Sequence, residues 1–270
     1  MKSLTGIADY YFFSLNPFIR LAVIVLILLL VIYVSRKKRF LSPSGLLAAF
    51  FTGLIVLYIS GLSGFCILLF FFLSSSILGK VLKTENSSIE KKGGERDAGQ
   101  VFANSLTGSL CLILYFFSKN SLFLILYSAS LAEAEADTFA GIFGMRSKED
   151  PVSIITFTRV PKGISGGVSL LGFLGAFLGS FLMALLHTGT FSGSFYVLSA
   201  ITLSAFLGAV LDSILGATVQ VVYRKPDGSL TEKEGKDYVK YRGLSFMDND
   251  MVNFTSTLFS ALFCALLMML

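Results

Sequence analysis

Three carboxylic acids stand at the end of a long apolar stretch, residues 121–136, where a membrane protein seldom carries charge. Glu133, Glu135 and Asp137 occupy every second position there. A carboxylate at the middle of a bilayer costs about 2.5–3.5 kcal/mol on insertion scales, and such side chains generally face a partner or a water-filled cavity. On a helix Glu133 and Asp137, four residues apart, share one face, whereas Glu135 points elsewhere. The patch predicts an active site, with a cation or a water-filled cavity, at one face of a membrane protein.

Polar side chains also lie near one end of three other apolar segments, again at helical spacing. They are Gln100 and Asn104, Asp212 and Gln220, and Asp250 and Asn253. Any single pair could instead cap a helix or meet water, as Asp248 could. Asn104 and Asp212, however, lie several residues inside apolar sequence. Helix bundles build sites from facing side chains, so we expect the four segments to bring these groups together.

A glycine-rich stretch at residues 159–167, Arg-Val-Pro-Lys-Gly-Ile-Ser-Gly-Gly, precedes the sixth apolar segment. Glycines allow backbone N–H groups to converge on a phosphate at a helix N-terminus, where the helix dipole assists. Acids on the same face support this interpretation, because Mg²⁺ is usually held by one or two carboxylates plus substrate phosphates. The residues expected to contact phosphate are Arg159, Lys162, Gly163, Ser165, Gly166 and Gly167. Glycines farther along the segment, Gly172, Gly175 and Gly179, are more typical of close helix packing.

The elements that must position these residues are membrane helices. Of the 270 residues 54% are hydrophobic and 14% are charged, and the mean hydropathy is +0.76, which excludes a soluble domain. We predict an all-α polytopic bundle that forms a single membrane domain over residues 1–270, with a tight joint at Gly61. The eight expected spans are 18–35, 44–60, 62–79, 101–118, 121–140, 165–186, 194–216 and 249–270.

Basic residues predict the orientation of the bundle. Nineteen of the 22 Lys and Arg residues fall in the loops at 36–43, 80–100, 145–163 and 217–248. Cytoplasmic loops are enriched in Lys and Arg, so we place these loops and the polar site at the cytoplasmic face, and both termini outside. The +5 net charge is then mainly a topology signal. Small loops and the lack of a transit peptide favour a prokaryotic plasma membrane.

The predicted polar site lacks the side chains that other kinds of catalysis require. The only histidine, His187, lies at the opposite end of its span, and Cys66, Cys111 and Cys264 lie inside apolar runs. Ser–His or Cys–His catalysis and a structural zinc site are therefore unsupported. Carboxylates, amides, a divalent metal and a phosphate loop indicate phosphoryl or nucleotidyl transfer. A lipid-phosphate or ion transporter is the alternative from another class, although the outer halves of the spans carry few polar residues.

Five ordered segments resemble the membrane family once catalogued as domain of unknown function ninety-two, which includes plant phytyl-phosphate kinase. They are residues 96–104, residues 136–140 with Gly144, residues 160–168, residues 212–220 and residues 249–253. The resemblance extends from about Gly45 to the C-terminus. It implies a kinase that converts an isoprenoid monophosphate to the diphosphate, with a nucleoside triphosphate, CTP foremost, as donor. A cytidylyltransferase that forms a CDP-lipid would use the same metal and loop.

The resemblance and the spacing together assign roles. The expected Mg²⁺ ligands are Glu133, Asp137, Asp212 and Asp250. The expected catalytic residues are Asp137, Arg96, Asn104 and Asn253, and Gln100 and Gln220 are expected to join the phosphate loop in binding the nucleotide. Ile142 stands where the family usually has a glutamate. Either Glu133 or Glu135 compensates, or the substrate has changed or the activity is lost. The expected partners are an isoprenoid lipid phosphate, a nucleotide and membrane lipids, with no nucleic acid; a homo-oligomer is left open.

Overall fold

The computed structural model describes residues 4–82 and 95–270, and within them the chain is mostly helical. The helices are α1 (Leu4–Ser14), α2 (Pro17–Lys37), α3 (Pro43–Val81), α4 (Ala98–Ser118), α5 (Leu122–Gly144), α6 (Leu170–Phe191), α7 (Phe195–Thr218) and α8 (Asn249–Met269). The strands are β1 (Val152–Ser153), β2 (Gly167–Val168), β3 (Val222–Arg224), β4 (Leu230–Thr231) and β5 (Val239–Arg242). Strands β1 and β2 form one antiparallel pair, and the other three form a sheet in the order β4-β3-β5.

Six helices of the described residues are long and apolar enough to cross a membrane: α2, α3, α4, α6, α7 and α8. Helix α5 has the length for it, but every 18-residue stretch of it contains Glu133, Glu135 and Asp137. The predicted class, a helical polytopic membrane protein, is confirmed.

Helix α3 consists of two arms, residues 43–60 and 62–81, joined at Gly61. This glycine has φ 66° and ψ −155°, outside the helical region. The Lys80 ammonium, near the end of the second arm, lies 4.6 Å from the centroid of the Phe40 ring, just before the first arm begins. It also donates a hydrogen bond to the carbonyl of Lys38. The two ends of α3 therefore meet, so the arms run antiparallel and the predicted joint at Gly61 is confirmed.

Helix α1 was not expected from the sequence, and it fixes this turn. The Asp9 carboxylate accepts hydrogen bonds from the N–H groups of Leu62, at 2.6 Å, and Ser63, at 3.3 Å. These are orphan donors of the first turn of the second arm, so Asp9 acts as its cap from a separate helix.

Helix α5 occupies the centre of the bundle and packs against α3, α4, α6, α7 and α8. Its contact with α6 depends on small residues. A Cβ atom at Gly175 would lie 2.7 Å from the carbonyl oxygen of Phe139, and one at Gly179 would lie 2.9 Å from that of Glu135. A Cβ atom at Gly172 would likewise lie 3.6 Å from Cα of Gly144, so the close packing predicted for these three glycines is confirmed.

The start of α6 differs from the prediction. The helix begins at Leu170, with Ser169 as N-cap accepting from the N–H of Gly172 at 3.1 Å, and not at residue 165. Gly167–Val168 instead pairs with Val152–Ser153. The expectation that the glycine-rich stretch runs directly into a helix N-terminus was wrong, because strand pairing takes the backbone between them. The basic loop 217–248 likewise contains strands that the all-α prediction did not include.

Candidate active site

Helices α5, α7 and α8 meet around three acids, Glu133, Asp137 and Asp212, called here the acidic cluster. Gly208 of α7 permits the approach, because a Cβ atom there would lie 2.5 Å from Cγ of Glu133. Asp212, one turn later, accepts a hydrogen bond from the hydroxyl of Ser256 on α8 at 3.3 Å. Asp137 and Asp212 are close enough that their charges act on the Glu133 carboxyl group. The sequence prediction did not include Ser256, whose serine identity in an apolar helix gives no distinctive signal.

The acidic cluster suits a cation whose remaining ligands are supplied by a substrate. Glu133 is 1% exposed, and its Oε1 makes no hydrogen bond with any described residue. A buried carboxylate oxygen in that position is costly unless a cation or proton satisfies it. Among residues 4–82 and 95–270, no three His, Cys, Asp or Glu side chains form a metal-binding group by themselves. Mg²⁺ commonly takes one or two carboxylates, with phosphate oxygens and water as the other ligands.

A chain of amides joins α4 to α8. The Asn253 side chain donates to the side-chain oxygen of Asn104 at 3.2 Å, and Asn249 donates to that of Asn253 at 3.4 Å. The Asp250 carboxylate lies against the first turn of α4, 2.7 Å from the position of a Cβ atom on Gly99. The structure thus brings together the polar residues that the sequence placed on two separate segments.

Two predicted polar residues at helix ends take part in capping. Gln100 and Asp97 form a reciprocal capping box at the start of α4, with both hydrogen bonds 3.0 Å long. Asp248 is the N-cap of α8, so the alternative that it caps a helix is confirmed. Gln100 is buried, and the capping box gives its side-chain oxygen a hydrogen-bond donor. That Gln100 contacts a nucleotide stays a prediction.

The glycine-rich stretch is fastened by an acid from the three-stranded sheet region. Both the backbone N–H and the hydroxyl of Ser165 donate to Oε1 of Glu232, the N–H over 3.2 Å. The N–H of Gly167 donates to the carbonyl of Ile164 at 3.1 Å. Two of the amides expected to bind phosphate therefore have partners within the protein. Burial raises the pKa of Glu232 above its ordinary value, while the Ser165 hydrogen bonds and the charge of Arg242 oppose that rise.

Arg242 of β5 ties the same stretch to the end of α7. Its guanidinium donates to the carbonyls of Gly216, at 2.9 Å, Ser165, at 3.3 Å, and Ala217. Gly216 is one turn beyond Asp212 and packs directly against Ser165. The glycine-rich stretch consequently lies one helical turn from the acidic cluster. Glu232 and Arg242 escaped the sequence prediction because their loop was interpreted only as a basic topology signal.

The remaining predicted loop residues lie around this core. Arg159 is 68% exposed and pairs with Glu149 at 3.2 Å, whereas Lys162 donates to the carbonyl of Ser147. Gly163 and Gly166 both have positive φ, at 85° and 86°. Gln220 is 1% exposed and lies beside Gly216. That Arg159, Lys162 and Gln220 bind a nucleotide stays a prediction.

The opposite side of α5 carries a second polar group around Arg96. Glu135 accepts a hydrogen bond from the Ser74 hydroxyl on the second arm of α3, and it is buried away from the acidic cluster. Arg96 is held by its backbone, whose N–H donates to Phe40 at 3.0 Å and whose carbonyl accepts from Ser42 at 2.9 Å. Burial lowers the pKa of the Arg96 guanidinium, and the charge of Glu135 opposes that shift. The prediction that Glu135 faces elsewhere is confirmed.

The fold and this site define a polytopic helical membrane protein whose candidate site residues lie in four helices and one loop of the bundle. The chain belongs to the family described as integral membrane protein DUF92, whose model matches residues 26–261. No solved structure matches it.

Three related proteins each match most of the chain. Protein PGR of Arabidopsis thaliana is 30% identical over 278 residues, which cover 91% of this chain and 95% of PGR. An uncharacterized membrane protein of Methanocaldococcus jannaschii is 30% identical and covers 76% of this chain and 85% of its own length. The chloroplastic protein VTE6 of Arabidopsis thaliana is 26% identical, covering 79% of this chain and 61% of VTE6. The relationship thus extends to a plant and an archaeon.

Proposed function

We propose that this protein is a membrane-embedded kinase that transfers a phosphoryl group from a nucleoside triphosphate, CTP foremost, to an isoprenoid monophosphate. The product is the isoprenoid diphosphate. The observation that carries the proposal is the buried Oε1 of Glu133, which makes no hydrogen bond within the described residues and lies beside Asp137 and Asp212. The resemblance to a family that includes plant phytyl-phosphate kinase supports the same class of reaction.

The acidic cluster would hold Mg²⁺ through Glu133, Asp137 and Asp212, and Asp250 is a further proposed ligand. The ion, when bound, supplies neutralisation of negative charge on phosphates, which is the main requirement of phosphoryl transfer. We assign Asn104 and Asn253 to orient phosphate oxygens, because their amides already contact each other across α4 and α8. An amide donates without adding charge, so it can fix a phosphate beside carboxylates.

The acceptor needs no strong general base. The second pKa of a phosphate monoester is about 6, so the attacking oxygen is already anionic near neutral pH. This agrees with the position of the only histidine. His187 is buried and its Nδ1 lies 2.7 Å from the hydroxyl of Ser128. Arg96 would offset the charge of the acceptor phosphate.

We propose that the donor triphosphate lies between the acidic cluster and the glycine-rich stretch. Gly216 places that stretch one turn from Asp212, which suits a ligand that bridges both. Lys162 and Arg159 would contact its outer phosphates. The proposed location is the cytoplasmic face of a prokaryotic plasma membrane, where nucleotides are available and where the basic loops would lie.

Purified protein with γ-³²P-labelled CTP, Mg²⁺ and an isoprenoid monophosphate tests the proposal. We expect label in the lipid, and we expect Asp137→Ala to lower the rate by about a hundredfold or more, the scale for losing an electrostatic contact in a transition state. Asp237→Ala, in an exposed loop, is the matched control and should keep the rate. An Asp137→Ala variant of full activity would remove Asp137 from the site.

The same assay separates the alternatives. A cytidylyltransferase would join the cytidine monophosphate group of CTP to the lipid phosphate and release the label as pyrophosphate. A transporter would move lipid phosphate or ions with no labelled product. Either result would overturn the kinase proposal.

A further inference from the structure

A cavity of about 70 Å³ lies between α2, both arms of α3 and the beginning of α4, on the Arg96 side of the bundle. Most of its wall is apolar and includes Leu28, Ile32, Ala49 and Phe72. One end is different, because Arg96, Gln100 and Asn104 line it. No aspartate or glutamate among the described residues lines the cavity. It therefore has the two-part character of an amphiphile with an anionic head.

The polar end connects to the candidate active site through a single residue. Asn104 lines the cavity and also accepts the hydrogen bond from Asn253 on α8. Arg96 holds its guanidinium 5.8 Å from the centroid of the Phe71 ring, which also lines the cavity. Within residues 4–82 and 95–270 that guanidinium makes no ion pair, although the charge of Glu135 reaches it.

The cavity has a side toward the bilayer. Helix α2 packs chiefly against α3, and its Leu26, Leu29 and Leu30 are exposed on its outer surface. The Leu28 side chain packs so closely against Gly53 of α3 that a Cβ atom at Gly53 would lie 2.5 Å from it. A chain that enters from the bilayer would pass along α2 before it reaches the polar end.

We infer that this cavity receives the hydrocarbon chain of a single-chain lipid phosphate, whose phosphate contacts Arg96 and Asn104. The inference rests on the proposed function for the identity of the lipid as an isoprenoid monophosphate. The phosphate-proximal part of the chain lies among the apolar walls, and the remainder extends past α2 toward the bilayer. At about 10–15 Å³ for each water-sized group, the cavity encloses roughly five to seven such groups, enough for the phosphate-proximal carbons of one chain.

Photo-crosslinking without nucleotide tests the inference. The probe is geranylgeranyl monophosphate that carries a diazirine near its first double bond, added to the purified full-length protein. We expect labelled peptides from α2 and from the first arm of α3. Excess geranylgeranyl monophosphate should compete, whereas inorganic phosphate and phosphatidic acid should not. Labelling elsewhere, or equal competition by phosphatidic acid, would overturn the inference.

Two variants examine the two ends of the cavity separately. Ala49→Phe fills the apolar part and should lower labelling about tenfold, a loss of about 1.4 kcal/mol in binding, because the phenyl ring takes the space of the lipid chain. Leu47→Phe, on the same arm but 61% exposed, is the matched control and should label normally. Arg96→Gln should lower labelling by the monophosphate probe about tenfold or more while labelling by the corresponding alcohol stays unchanged, because only the phosphate needs the charge.

The outcomes also separate this inference from the proposed kinase. Labelled lipid diphosphate with no crosslink in the cavity would reject the cavity and leave the kinase. A crosslink in the cavity with no diphosphate would reject the kinase and leave the lipid site. The wild-type peptide map decides the location of the chain even where Ala49→Phe fails to fold.

Discussion

Glu133 is positioned by packing more than by hydrogen bonds. Gly208 of α7 packs against its Cγ, and its Oε1 has no hydrogen-bond partner in the described part of the chain. A carboxylate is a poor choice for stability in this environment, since an isosteric amide or an apolar residue would cost less there. The carboxylate is best explained by a charge that it meets when substrate binds.

Replacing that carboxylate by its amide separates function from stability. Glu133→Gln should raise the Mg²⁺ concentration required for activity by about tenfold or more, on the scale found for metal-site substitutions. It should leave the thermal unfolding temperature unchanged or raise it, because the variant buries no charge. Kinase assays over a Mg²⁺ series and thermal unfolding of the purified protein measure the two effects.

A control for this substitution is Glu95→Gln. Glu95 forms a surface pair with Arg36 at 3.5 Å, and exposed pairs contribute about 0–1 kcal/mol. It should alter neither measurement. A Glu133→Gln protein that unfolds at a much lower temperature, with an unchanged Mg²⁺ requirement, would make Glu133 a structural residue.

At the scale of the elements, the antiparallel arms of α3 decide where the cavity and Arg96 lie. The turn at Gly61 returns the second arm to the level of Phe40, and this places Ser74 beside Glu135 and Phe71 beside Arg96. The φ and ψ of Gly61 fall in a region that is essentially restricted to glycine. A Cβ atom there would also lie 2.5 Å from Oδ1 of Asp9.

Gly61→Ala should therefore destabilise the protein by about 1–3 kcal/mol from backbone strain, with a further loss from the displaced Asp9 cap. The matched control is Gly79→Ala in the second arm, where a Cβ atom meets nothing within 4 Å. That variant should be stabilised by about 0.5–1 kcal/mol, the helical preference of alanine over glycine. Thermal unfolding of both purified variants provides the comparison, and equal unfolding temperatures would refute the role assigned to the turn.

Some of these elements could be predicted from the sequence because a membrane helix is encoded locally. Apolar length located most of the helices, and a single glycine between two apolar runs located the α3 turn. The strands could not be located, since Gly167–Val168 pairs with Val152–Ser153 only after a loop has closed. Helix α1 was missed because it is short, and its role depends on Asp9 reaching Leu62 more than 50 residues away.

The site divides in the same way. Four-residue spacing placed Glu133 and Asp137 on one face and turned Glu135 away, and helical periodicity is enough for that inference. The sequence predicts that the segments carrying Asn104 and Asn253 converge, but it does not predict the hydrogen bond between these two side chains. Glu232 and Arg242 could not be foreseen, because their partners lie across the fold and nothing in their spacing distinguishes them from other loop charges.

For the whole molecule, the distribution of basic residues predicts which end of the bundle meets the cytoplasm. The acidic cluster, the glycine-rich stretch and the three-stranded sheet all lie at the end of α7 that leads into the basic loop 217–248. Orientation is set chiefly by Lys and Arg in short loops.

Cysteine labelling in intact cells checks the orientation. Lys236→Cys lies in the exposed loop before β5, and Gly189→Cys lies near the opposite end of α6, where a Cβ atom meets nothing within 4 Å. A membrane-impermeant maleimide should label Gly189→Cys in intact cells and Lys236→Cys only after the membrane is opened. The native protein controls for its own three cysteines. The reverse pattern would place the site outside the cell.

The carboxylate of Glu232 already sits on the Ser165 amide, where a phosphate oxygen would otherwise go. An anionic ligand at this position has to displace the Glu232 side chain, and the nearby charge of Arg242 can stabilise the displaced carboxylate. If the glycine-rich stretch binds phosphate as proposed, such an exchange would disfavour singly charged ions and favour polyanions that make several contacts at once. The stretch would then select a polyphosphate before any nucleobase is recognised.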